Sequence, residues 1–254
     1  MIKRIVLGLL LALPALAEES VDAGAPPAPK LSPQEILAKS EAVINGFADQ
    51  QMDMRITVID VDGSKKSYEM TMFQKGDSKR LIQFTSGEMK GMSTLVEDRN
   101  SVHVYLPGFK KVRRVAAHNM NQSLAGSDLT SEDMAQVSWS GEWSAVLEKE
   151  DDTSWWLTLT PKGSTNTEHA RVTHRVEKKN FALQQLHYFN KAGKEVKRFI
   201  NGNPTDFHGT LRYKQIVVSD PRTGHRTELD VKDFKVNRGL KDSLFTVRQL
   251  QWGK

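Results

Sequence analysis

Seven histidines and 31 carboxylates are the residues of this 254-residue chain with most to offer an active site, yet their spacing argues against one. A helix that binds zinc through two histidines needs them at i and i+4, and no pair among His103, His118, His169, His174, His187, His208 and His225 has that spacing. His169 and His174 are five apart, which on a shared strand would put them on opposite sides. No nucleophile elbow, phosphate-binding loop or dinucleotide fingerprint occurs, and no cofactor is expected. The acidic pair Glu132 and Asp133 follows Thr130, an N-cap residue, and reads as the first turn of a short helix. It lacks the regular oxygen spacing of a calcium loop, so no metal is expected either. There is no cysteine, hence no disulfide, no thiolate and no residue to be acylated as a membrane anchor.

The spacing offers an apolar surface instead. Met54, Ile56 and Val58 alternate with polar residues, and after Asp62-Gly63 so do Tyr68, Met70 and Met72, which is a hairpin with one apolar face. Met52 extends the row. Methionine is flexible and polarisable, and it recurs where a surface must fit varied apolar ligands; ordinary core filling accounts for these four equally well. The second chemical signature is Lys110, Lys111, Arg113 and Arg114, four cations in five residues. They are either a charged strand edge or a contact for phosphate, carboxylate or an acidic partner.

The elements that carry these residues follow from composition and period. Lys3-Arg4, the apolar run 5–13 and Ala15-Leu16-Ala17 have the order of a cleavable secretory signal, expected to end at residue 17. Cleavage would leave 237 residues (254 less 17) with 34 basic against 31 acidic side chains, a net +3. That is too mild an excess for a nucleic-acid binder, and no nucleic-acid partner is expected. Residues 18–30 read as an Ala/Pro-rich tether, and 31–254 as one domain. Ser32-Pro33-Gln34-Glu35 opens a helix to about Asn45-Gly46 with a capping box. Strands are then expected near 52–58, 68–72, 80–84, 93–96, 102–106, 155–159, 172–176, 183–188, 195–200, 211–218 and 226–236, with turns at 190–193, 201–204 and 220–224. The apolar tail Leu244-Phe245-Thr246-Val247 should dock on the sheet. The fold class is thus α+β, mainly antiparallel β.

Residues 80–134 carry a resemblance. The order Lys90-Gly91, Tyr105-Leu106-Pro107, Arg113-Arg114, then Gly126-Ser127-Asp128 followed by Glu132-Asp133 resembles the LolA-like outer-membrane lipoprotein-sorting family. The resemblance implies a curved half-barrel sheet of about ten or eleven strands, with helices covering a concave apolar face that accepts acyl chains. It implies no catalytic residues. On that basis the ligand-lining residues are expected to be Met54, Ile56, Val58, Met70, Met72, Ile82, Phe84, Val104 and Leu106, with Arg113 and Arg114 at the rim for a head group or a partner. Strand phase is open at Leu81-Ile82 and Leu95-Val96, where both faces are apolar and a one-residue slip inverts the assignment.

The expected function is a monomeric periplasmic carrier for acylated lipoprotein or lipid, working between an inner-membrane transporter and an outer-membrane acceptor. The alternative is a non-enzymatic accessory protein that docks on an envelope transporter without carrying lipid. An enzyme would require a polar cleft with clustered titratable groups.

Overall fold

A computed structural model describes residues 30–163 and 165–252; the expected signal sequence, and the tether but for Lys30, lie outside the described residues. Helix α1 (Pro33–Asn45) begins with the expected capping box: Ser32 Oγ accepts from the Glu35 amide, and Glu35 Oε2 accepts from the Ser32 amide at 2.7 Å. Then come β1 (Asp49–Ile59), β2 (Lys65–Lys75), β3 (Lys79–Phe84), β4 (Ser93–Asp98), β5 (Ser101–Leu106) and β6 (Lys111–Arg114). Two short helices, α2 (Ser131–Ala135) and α3 (Trp139–Glu142), lead into β7 (Trp143–Glu150), β8 (Ser154–Pro161), β9 (Arg171–Glu177), β10 (Leu183–Phe189), β11 (Glu195–Phe207), β12 (Thr210–Ser219) and β13 (Arg226–Val236). Helix α4 (Val247–Trp252) ends the described chain.

The strands form one antiparallel, curved and open sheet of order β6-β5-β4-β3-β2-β1-β13-β12-β11-β10-β9-β8-β7. Two meanders, β1 to β6 and β7 to β13, therefore meet where the first strand pairs with the last, from Gln50 opposite Val236 to Ile59 opposite Arg226. The sheet has thirteen strands where sequence patterning gives eleven. The two additional strands, β6 and β7, are its two edges. Edge strands carry charge that blocks further pairing, and Lys111, Arg113, Arg114, Glu148, Lys149 and Glu150 are all exposed, so neither segment shows an apolar alternation. A second correction concerns 201–204: β11 runs straight through, and the chain turns instead at His208-Gly209, both at positive φ. Asn203, at φ +55°, has no partner in a register that passes from Gly202 opposite Gln215 to Pro204 opposite Tyr213. The irregularity seats the proline without a turn.

The outer face of the first meander and the inner face of both meanders are covered. On the outer face Phe245 and Leu250 bury with Leu81, Leu95 and Tyr105, so the tail docks as its composition indicates. Asp49 fixes the approach of the tail by accepting backbone N–H bonds from Arg238, Gly239 and Leu240 at 2.7 to 3.0 Å. On the inner face α1 buries Ile36 and Leu37 against Leu157, Leu159, Val172 and Val176 of the second meander. Leu124 and Leu129, from the loop before α2, bury against Ile56, Ile82, Phe84 and Val231. Among the described residues no helix is long and apolar enough to cross a membrane.

Candidate functional site: an apolar cavity on the inner face

Between the part of the inner face covered by α1 and the part covered by the 118–135 segment lies an apolar cavity of about 240 Å³. Its floor is Met52 and Met54 of β1, Met70 and Met72 of β2, Ile82 of β3, Ile216 of β12 and Leu229 of β13; its roof includes Ile44, Leu129, Met134 and Trp139. A second pocket of about 150 Å³ adjoins it under the end of α1, sharing Ile44, Met52, Met72 and Ile216. The chain has nine methionines, and five of them, Met52, Met54, Met70, Met72 and Met134, line the larger cavity. Met89 and Met92, nearer the β3–β4 connection, join the packed core instead.

The sheet brings all nine residues of the expected apolar lining into one cluster on one face. Only Met54, Met70, Met72 and Ile82 reach the cavity. Ile56, Val58 and Phe84 are buried in the adjacent filled core, with Val104 and Leu106 packed on it. Where phase was open, Ile82 faces inward, whereas Leu81 and Leu95 face the tail. Arg113 and Arg114 line neither pocket. Both are exposed on edge strand β6, Arg113 over the Phe109 ring and Arg114 donating to the Asn100 carbonyl at 3.1 Å.

The segment that carries the sequence resemblance fastens the roof. Thr227 of β13 donates to Asp128 Oδ2 at 2.7 Å and accepts the Asp128 amide at 2.9 Å, while His225 Nδ1 lies 2.9 Å from the same carboxylate. Asp133 caps α2 through Thr130 and pairs with Lys197 of β11 at 2.6 Å. Arg99, in the β4–β5 turn, reaches Glu132 at 3.2 Å and Glu142 at 2.6 Å. Burial raises the pKa of both glutamates from its ordinary value, against the pull of Arg99. The acidic pair thus works as a clasp for a helix. Among the described residues no group of three or more potential ligands is arranged to hold a metal ion.

His169 and His174 share one aromatic cluster rather than opposite faces. His174 meets Trp139 edge-on at 4.5 Å, His169 meets Tyr188 at 4.8 Å, and Trp139 and Tyr188 are neighbours. Strand alternation does not reach His169, because β9 begins only at Arg171. Desolvation pushes His169 down to about 4 and His174 to about 3, so both are neutral at pH 7 and pack as aromatic rings.

Two charged groups on the walls of these pockets that sequence reasoning missed are Arg80, which lines both, and Arg212, which lines the smaller. They end a belt across β3, β2, β1 and β12: Arg80 donates from Nε and Nη2 to Gln74 Oε1, Gln74 stands opposite Gln50 in register, and Arg212 Nη2 donates to Gln50 Oε1 at 3.0 Å. Arg212 also donates to the Val43 carbonyl at 2.7 Å and to that of Ile44. It thereby satisfies acceptors left open at the end of α1, which has no basic residue of its own in its last turn. Arg80 Nη1 donates to the Met134 carbonyl at 2.7 Å. A signal for these residues existed. Arg80 lies two residues before Ile82, Gln50 two before Met52 and Gln74 two after Met72, so each falls in the inward phase of its strand.

Comparison with known proteins agrees with this architecture. No curated protein matches the chain. Among solved structures, a DUF1329 family protein from Desulfovibrio piger superposes with a TM-score of 0.81 at 22% identity, covering 87% of this chain and 100% of that one. An outer-membrane lipoprotein-sorting protein domain from Vibrio parahaemolyticus gives 0.75 at 19% identity, covering 86% and 97%. A LolA superfamily protein from Nitrosomonas europaea gives 0.73 at 21% identity, covering 86% and 99%. A family model described as an uncharacterized protein matches residues 76–252, so the chain belongs to that family, and its fold is that of the LolA-like lipoprotein-sorting proteins.

Proposed function

We propose that this protein is a periplasmic carrier that shelters acyl chains of lipoproteins or lipids in the methionine-lined cavity and ferries them towards the outer membrane. In this reading it takes its cargo from an inner-membrane transporter and yields it to an outer-membrane acceptor. The observation that carries the proposal is the cavity itself: an apolar space on the inner face of an open sheet, roofed by short elements that buried apolar side chains and polar clasps hold in place. Each CH₂ buried there contributes about 0.8 kcal/mol, and the flexible thioethers can conform to chains of different length. The fold of the Vibrio and Nitrosomonas proteins supports the assignment.

Native mass spectrometry with lipid extraction on protein purified from a periplasm tests it. Bound acyl species are expected, and Met72→Glu, at a partly buried wall position, should remove them while the protein stays folded. A clean apo mass that is unchanged after incubation with acyl ligands would overturn the proposal.

One observation favours the alternative of a docking module. Phe109 is 67% exposed beside Lys110, Lys111, Arg113 and Arg114, which is an apolar anchor within a basic edge suited to an acidic partner. Partner co-purification abolished by Phe109→Ala, with no extractable lipid from the wild type, is the outcome that reading requires.

A further inference from the structure

Arg80 and Arg212 are the least expected residues of the cavity. Each side chain is nine-tenths or more removed from solvent, and burying a cation is costly unless a countercharge accompanies it. Among the described residues neither has a carboxylate partner: every hydrogen-bond acceptor they reach is a neutral amide or carbonyl oxygen, and the Arg212 guanidinium lies over the Phe234 ring at 4.4 Å, a contact that offsets part of the burial cost without supplying a countercharge. The acid on the cavity wall, Asp133, is already neutralised by Lys197. Both guanidiniums remain charged at neutral pH, although burial lowers each to about 10.

Donors are also left over. Of the five N–H groups of a guanidinium, Arg212 uses three, on Val43, Ile44 and Gln50, and its buried Nε has no partner. Arg80 uses three, two on Gln74 and one on Met134. Arg80 lines both pockets and Arg212 lines the smaller one, where the space under α1 meets the methionine floor. The arrangement is cationic at one end and apolar along its length. That complements a single-chain amphiphile with an anionic head.

We propose that Arg80 and Arg212 form an anion-binding end to the cavity, which holds the carboxylate or phosphate head of such an amphiphile while its chain lies along Met52, Met54, Met70 and Met72. The proposal rests on the carrier reading and narrows its cargo. An anionic head supplies the missing countercharge and accepts the terminal N–H groups that remain, one on each terminal nitrogen of Arg80 and one on Nη1 of Arg212.

The test is a titration series on the folded wild type at pH 8 with four probes: tetradecanoate, tetradecyl phosphate, tetradecanol and inorganic phosphate. Both anionic amphiphiles should bind at least about tenfold more tightly than the alcohol, a difference of about 1.4 kcal/mol, and inorganic phosphate far more weakly than either. In Arg212→Gln and Arg80→Gln that preference should collapse while tetradecanol binding is kept, and Arg212→Lys should retain part of it. The wild-type series decides the matter alone if either glutamine variant does not fold. Tetradecanol binding as tightly as tetradecanoate would overturn the anionic end and leave the carrier reading standing. Inorganic phosphate binding as tightly as tetradecyl phosphate would overturn the amphiphile in favour of a small-anion site. Failure of all four probes to bind would overturn both.

Discussion

The inner face of the sheet has two regions built from similar strands but finished differently. At one end, Ile56, Val58, Phe84 and Met92 are buried with Leu124 and Leu129, and Val104 and Leu106 pack against them. At the other, Met52, Met54, Met70 and Met72 face a cavity. Branched and aromatic side chains with few rotamers predominate in the first region, with Met92 among them, whereas four unbranched thioethers stand together on the floor of the second. The difference teaches that the apolar face alone does not define a binding surface; what the chain lays over it does. A loop that inserts leucines converts one stretch into core, while a helix end and two guanidiniums leave the neighbouring stretch open.

The sharpest way to break this division is to release the roof shared by both regions. Asp133→Asn strands Lys197 without its partner and should cost about 3–5 kcal/mol in urea unfolding, as expected when one member of a buried ion pair is removed; a loss below about 1 kcal/mol would mean that the clasp does not hold the roof. Phe84→Ala, in the filled region, should cost about 3–5 kcal/mol. Met72→Ala, beside existing empty space, should cost less than about 2 kcal/mol because fewer contacts disappear. The reverse order would dissolve the distinction between filled and open.

A pH titration of stability sharpens the comparison at the aromatic wall. His174 titrates at about 3 in the folded protein, against an ordinary 6.5. As pH falls below 6.5 the unfolded chain gains a proton that the folded chain refuses, so stability is lost with acidification, by about 1.4 kcal/mol per pH unit. His169, at about 4, adds the same sign over a narrower window. Glu132 and Glu142, raised by burial, act oppositely nearer the carboxylate range. His174→Phe should remove one histidine's share of the slope between pH 6.5 and about 5, and an unchanged slope would show that His174 is protonated in the folded state. The smallest effect is expected at the edge: Arg113→Gln with Arg114→Gln should change stability by no more than about 0.5 kcal/mol, and a larger loss would mean that these exposed cations support β6.

Much of the scaffold was legible because local chemistry and tertiary structure agree. Ser32 and Glu35 announce α1, Asp62-Gly63 announces the first hairpin, and the alternation from Met52 to Val58 gives the inward phase that the structure adopts. The two edge strands were hidden because an edge must look polar to stay unpaired. The cavity was hidden for a different reason. Period two says that Met72 and Phe84 face the same way, but which of them meets empty space depends on Leu124 and Leu129 arriving from a loop without periodicity. Arg80 and Arg212 read as ordinary surface charges until their phase is followed along the strand.

Because the chain's first strand pairs with its last, the cavity is assembled across a seam about 180 residues apart in sequence. Each meander can form from neighbouring hairpins with little loop-closure cost, whereas the β1–β13 pairing must wait for both. Met54 reaches the cavity from one side of that seam and Leu229 from the other. No partial chain that stops short of β13 therefore possesses the cavity, and the pairing that joins the two meanders is the same one that brings its two walls together.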